Sequence, residues 1–72
     1  MRLREIREDR DIKQSALAKY LNIRQSTYSQ YETGNRQLPI EALKSLAIYF
    51  NTSTDYILEL TDIKKPYPRK QQ

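Results

Sequence analysis

Residues 14–34 read QSALAKYLNIRQSTYSQYETG, and the spacing of their apolar side chains decides the fold. Over 14–21, Leu17, Ala18 and Leu21 fall on one stripe of a helix, the recurrence expected of a face turned to a core. Asn22 follows at once, a residue that tolerates the left-handed conformation a tight turn requires. Over 25–32, Tyr28 and Tyr31 stand three apart and point inward together. Thr33 and Gly34 end this second helix, with glycine suited to the position just past a helix. Ala18 is small where the two helices must approach, and Ile23 plugs the angle between them. Two helices joined by a turn of about three or four residues give a helix-turn-helix spacing.

The same reading extends in both directions. Residues 1–10 place Leu3 and Ile6 on one helical face with Arg7 beside them, and residues 9–13 form a polar connection. Pro39 opens a fourth helix, where its missing N–H costs nothing, and Ile40, Leu43, Leu46, Ala47 and Phe50 recur inward. Asn51 is a second left-handed stop. Ser53 caps a short last helix with Ile57 and Leu60 inward, and the pattern is lost from Thr61. No β-branched run alternates with period two. The expected fold is all-α, a compact five-helix domain over residues 1–62, followed by a basic, flexible tail over 63–72. Ile48, Tyr49 and Leu58 fall off the inward stripes and are expected at the surface.

A chain of 72 residues with 38% hydrophobic and 31% charged side chains has room for one small domain and a thin core. It contains no cysteine and no histidine, so disulfides, the usual zinc sites and Cys–His or Ser–His catalysis are excluded. No metal and no cofactor are expected. Arg2 and Arg4 are followed by no apolar run that could serve as a signal peptide or a membrane span. A soluble cytoplasmic binding module is the class that remains, and an enzyme is the weakest alternative. The net charge of +4 is unevenly placed. Residues 1–38 carry eight basic and five acidic side chains. Residues 39–62 carry one basic and four acidic, and residues 63–72 carry four basic and none acidic. Such a polarised domain suits a partner with one anionic face.

The outward face of the second helix in the quoted stretch sharpens this. Arg24, Gln25, Ser26, Thr27, Ser29 and Gln30 include no carboxylate, and every one of them can donate a hydrogen bond. An ordinary solvent-facing helix would mix Glu with Lys. Glutamine can pair bidentately with adenine in the major groove of DNA. A merely polar surface is the competing reading of this face.

Gln14, Leu17-Ala18, Asn22-Ile23, Ser26-Thr27-Tyr28, Tyr31-Glu32, Gly34 and Pro39 together resemble the DNA-binding domain of the Cro and phage-repressor (XRE-type) helix-turn-helix family. The resemblance covers roughly residues 1–61. It implies a lambda-repressor-like five-helix domain whose third helix, about residues 25–32, enters the major groove. It implies base contacts from Gln25, Ser26 and Gln30, with Ser29 beside them. Phosphate contacts are implied from Gln14 and from residues near Thr33 and Arg36, with Thr27 added to that set. It also pairs an arginine with a glutamate at Arg7 and Glu32, tying the first helix to the third. Relatives often carry Ser or Thr as caps before the second and third helices, where this chain has Lys13 and Arg24. Losing such a cap costs about 0.5–2 kcal/mol, and a cation opposes the helix dipole. A bound phosphate would take the free N–H groups and the cation together, so both residues join the phosphate set. Tyrosines at 28 and 31 also depart from the usual aliphatic residues, and each hydroxyl needs a partner or the surface.

The expected function is sequence-specific binding of double-stranded DNA by a transcriptional repressor, a homodimer on a palindromic operator. Two alternatives stay open: an antitoxin that binds its own operator as well as a toxin, and a protein-interaction module of the same fold.

Overall fold

The computed structural model describes residues 1–68. It contains α1 (Leu3–Asp9), α2 (Gln14–Leu21), α3 (Gln25–Thr33), α4 (Ile40–Tyr49) and α5 (Thr54–Ile57), with no strand among the described residues. Every helix has ten residues or fewer, below the ~12–15 at which an isolated helix holds together in water. The helices therefore exist because their apolar faces are buried on one another. Leu3, Leu17, Tyr28, Leu46, Phe50 and Ile57 are fully enclosed, and they come from all five helices and the residue that ends α4. Ile6, Ala18, Tyr31, Ala47 and Tyr56 complete this core, with Leu21, Ile23 and Leu43 packed at its edge.

Local chemistry sets the corners. Asn22 takes the left-handed conformation (φ 57°), and the N–H groups of Asn22 and Ile23 close onto the carbonyls of Lys19 and Ala18. That arrangement turns the chain sharply enough for α3 to pack against α2. Gly34 ends α3 at φ 83°, its N–H donating to the Tyr31 carbonyl at 3.4 Å. Asn51 (φ 52°) ends α4, and the Thr52 N–H closes on the Ala47 carbonyl. Ser53 is the only residue whose side chain caps one of these helices, its Oγ accepting from the Tyr56 N–H at 3.0 Å.

Two inward assignments are corrected. Ile40 is 73% exposed and Leu60 is 72% exposed. Ile40 stands in the first position of α4, one turn before the helix meets the core. Leu60 lies beyond α5, which ends at Ile57, so the helical spacing that would carry it inward no longer applies. Pro39 stands one position earlier than expected, as the N-cap of α4.

The chain ends are tied together. The Arg2 N–H donates to the Ile57 carbonyl at 2.8 Å, and its guanidinium lies over the Tyr56 ring and pairs with Asp62 at 2.7 Å. Beyond Asp62, Thr52 Oγ1 donates to the Lys64 carbonyl at 2.6 Å and Tyr67 Oη donates to Asp55 at 3.2 Å. Lys64 and Tyr67 thus reach back to Thr52 and α5, while Arg69 and Lys70 of the expected tail fall outside the described residues. Among the described residues no helix is long and apolar enough to cross a membrane.

A Cβ built on Gly34 would meet nothing within 4 Å, so only backbone conformation penalises substitution there. Gly34→Ala is expected to lower stability by roughly 1–2 kcal/mol, the left-handed penalty for an L-residue, and Gly34→Asn by less. Urea unfolding of the three proteins checks this, and a larger loss would point to a steric contact instead.

Candidate nucleic-acid interface

α3 is held by its inward tyrosines, Tyr28 fully buried and Tyr31 nearly so, which turns the opposite face outward. Arg24, Gln25 and Ser26 are exposed at its start, and Thr27, Ser29 and Gln30 are half-buried along it. Among the described residues the side chains of Arg24, Gln25, Ser26, Thr27 and Ser29 make no hydrogen bond or ion pair. Their donors are therefore available to a ligand. Lys13 and Arg24 are the N-cap residues of α2 and α3, in extended conformation, and neither helix start has a side-chain cap. The register that places a cation before each of these helices is thus the one observed.

The Glu32 carboxylate is the anchor behind this face. Its side chain is 3% exposed, and it accepts from Arg7 Nε at 2.7 Å, Arg7 Nη2 at 3.2 Å and Gln14 Nε2 at 3.0 Å. Arg7 also donates through Nη1 to the Ile12 carbonyl at 3.0 Å. One carboxylate therefore joins α1, the α1–α2 connection, α2 and α3. Burial pushes the Glu32 carboxyl upward, but the hydrogen bonds from Arg7 and Gln14 outweigh it and hold the group below the usual carboxylate range. The Arg7 guanidinium is correspondingly raised, chiefly by its hydrogen bond to Glu32. The Tyr28 hydroxyl is enclosed with no partner at hydrogen-bond geometry, and burial first, then the neighbouring Glu32 charge, push its pKa far above the ordinary phenol value.

Arg7 and Glu32, the positions that the family resemblance pairs, lie 2.7 Å apart as an ion pair. The role of Gln14 is larger than the sequence indicated: one amide hydrogen is engaged by Glu32, so Gln14 is oriented from within the fold. The Gln30–Arg36 contact was not foreseen. Arg36 Nε donates to Gln30 Oε1 at 2.8 Å, and the Arg36 N–H and Thr33 Oγ1 both donate to the Gln30 carbonyl at 3.2 Å. Gly34 falls between these residues and lets the chain double back, which is the one sequence signal that could have revealed the contact.

The sequence profile of the helix-turn-helix family matches residues 3–57, all five helices. The chain belongs to that family, in its Cro and phage-repressor type. Members of this helix-turn-helix family are DNA-binding transcription regulators rather than enzymes. The chain is 37% identical over 65 residues to an uncharacterized HTH-type transcriptional regulator, YobD, of Bacillus subtilis strain 168. That alignment covers 90% of this chain and 58% of the relative. It is also 37% identical over 68 residues to the HTH-type transcriptional regulator AnsR of the same organism, covering 94% of this chain and 59% of the relative. The chain thus spans somewhat over half the length of these curated relatives. No solved structure matches it significantly.

Glu32→Ala is expected to cost roughly 3 kcal/mol, the low end for breaking a buried pair, because Arg7 is 14% exposed and keeps some water. Arg7→Met combined with Glu32→Leu recovers much of that loss, and Glu41→Ala, on an exposed residue, leaves the melting point nearly unchanged. The folded-state pKa of Glu32 lies below its unfolded value, so its contribution is complete above the unfolded pKa, about 4.3, and is lost as pH falls through the folded value. The stability of the double variant, read as its urea midpoint across an acid pH series, is therefore expected to fall less steeply with decreasing pH than that of the native protein.

Proposed function

We propose that this chain binds double-stranded DNA in a sequence-specific manner, laying α3 in the major groove, and acts as a homodimeric transcriptional repressor on a palindromic operator. The observation that carries the proposal is the outward face of α3: a carboxylate-free row of donors with no intramolecular partner, on a helix fixed from behind by Glu32. Gln25, Ser26 and Ser29 contact base edges on this reading, with Gln30 at the far end of the row. Lys13, Arg24 and Thr27 contact phosphates, supported by the uncapped starts of α2 and α3, where backbone N–H groups favour an anion. Gln14 donates its second amide hydrogen to a phosphate while Glu32 holds the first. The resemblance also puts Thr33 in the phosphate set, but its hydroxyl donates to the Gln30 carbonyl at 3.2 Å and has no second hydrogen for a phosphate. The names of the two relatives support transcription regulation, and repression is the effect we assign to occupying an operator. The protein then works where the DNA is, in the cytoplasm. We place the DNA-binding domain at residues 1–62, with 63–72 as an appended basic segment.

A single recognition helix reads few base pairs, so useful affinity favours two-fold symmetry. Ile48 and Leu58 are 58% and 42% exposed, and this apolar surface on the acidic half is the dimer surface we assign.

Binding to duplex DNA is expected to weaken steeply with salt, with a log–log slope per dimer of about −4 or steeper. Gln25→Ala costs about 1–3 kcal/mol on the best operator and leaves non-specific binding nearly unchanged. Fluorescence anisotropy titrations across a salt series check both, and absence of a complex with any duplex at low salt would refute the proposal. Leu58→Arg is expected to shift the protein toward monomer and weaken operator binding without unfolding it. Analytical ultracentrifugation reads this, and a native protein that is monomeric at high micromolar concentration would remove the dimer surface.

A further inference from the structure

The turn after α3 folds Arg36 back onto the last outward side chain of that helix, and this fixes what the side chain can recognise. A guanidinium has five N–H donors and no acceptor. The amide of Gln30 must therefore present its oxygen to Arg36 Nε, at 2.8 Å, and its Nε2 hydrogens away from it. The arrangement is braced at the backbone, because the Arg36 N–H and the Thr33 hydroxyl both bind the Gln30 carbonyl. No carboxylate of the described residues pairs with Arg36, so its terminal Nη groups keep their donors.

We propose that Gln30 and Arg36 form one donor-only reading unit that selects guanine at a single position of each half-site, Arg36 orienting the Gln30 amide through Nε and donating to the base through its Nη groups. The inference rests on the DNA-binding reading above and goes beyond it. A free glutamine suits adenine, because its amide oxygen accepts from N6 while its amide nitrogen donates to N7. Here the oxygen is already polarised by a cation, which weakens it as a second acceptor and strengthens the Nε2 donors. Guanine presents two acceptors, O6 and N7, on its major-groove edge, and both can be met by Nε2 of Gln30 and the Nη groups of Arg36. Cytosine offers a donor to this unit and is disfavoured. Thymine offers one acceptor and a methyl group, so it satisfies only half of it.

The test is selection of binding sites from random duplexes with the full chain, the Gln30→Ala and Arg36→Met variants, and the double variant. Far-UV circular dichroism verifies that each is folded. The native protein is expected to select guanine over adenine by roughly tenfold at one position per half-site. Gln30→Ala and Arg36→Met each abolish that preference, the double variant loses nothing further, and preferences elsewhere in the site are retained. A native preference for adenine at the position sensitive to Gln30→Ala overturns the inference while leaving DNA reading by α3 intact. An Arg36→Met profile unchanged in sequence but weaker on every duplex also overturns it, reducing Arg36 to a phosphate contact. A native protein that selects no sequence overturns the DNA-binding reading itself and this inference with it.

Discussion

A carboxylate shut away from water stays charged only if donors surround it, and Glu32 is in that position. Its two oxygens are met by three donor groups from Arg7 and Gln14, residues of α1 and α2. The helices are short and the core is thin, so apolar contact alone would tolerate some sliding. Bidentate hydrogen bonds from a planar guanidinium do not tolerate it. The buried pair therefore adds to the Asn22 turn and the packed α2–α3 faces a directional tie from α3 to α1 and α2, behind the outward side chains. The energetic cost of burying the two charges is offset by their mutual attraction and by the hydrogen bonds to Gln14 and the Ile12 carbonyl.

On the proposed reading, the same network links stability to recognition. Gln14 is held from the protein side by one of its amide hydrogens, which leaves the other oriented before any ligand arrives. Lys13 and Arg24 stand where a short capping oxygen would better serve the isolated domain. A polyanion lying across both helix starts would relieve the free N–H groups and the two cations together. The free protein is then less stable than its fold permits, and the bound one recovers the difference.

The far side of the molecule follows a different logic. Arg2 packs over Tyr56, bonds to Ile57 and pairs with Asp62, so the beginning of α1 and the end of α5 are fastened together. Tyr20 packs at a tilt of 57° against Tyr49 and donates to the Ser45 carbonyl, which pins α2 to α4 through two exposed rings. These contacts use aromatic faces, main-chain acceptors and the Asp62 carboxylate, and Ile48 and Leu58 stay 58% and 42% exposed.

The sequence by itself determined the helices and their inward faces. Leu17 with Ala18, Tyr28 with Tyr31, and Leu46 with Ala47 are buried as their spacing requires, because a helix converts sequence period directly into direction. Asn22, Gly34 and Asn51 end their helices in the left-handed conformation, because that preference is a property of the residue and its own backbone. Arg7 and Glu32 could be paired from the family resemblance alone. What the sequence left undetermined depends on distances across the fold. Ile40 and Leu60 continue the apolar rhythm but are exposed, because period says nothing about where a neighbouring helix stops. Gln14 meeting Glu32, and Arg36 turning back onto Gln30, join residues 18 and 6 positions apart through turns whose exit angles only the assembled core decides. Hydrogen bonds of that kind demand placement to a few tenths of an ångström, and local preference fixes direction far more loosely than that.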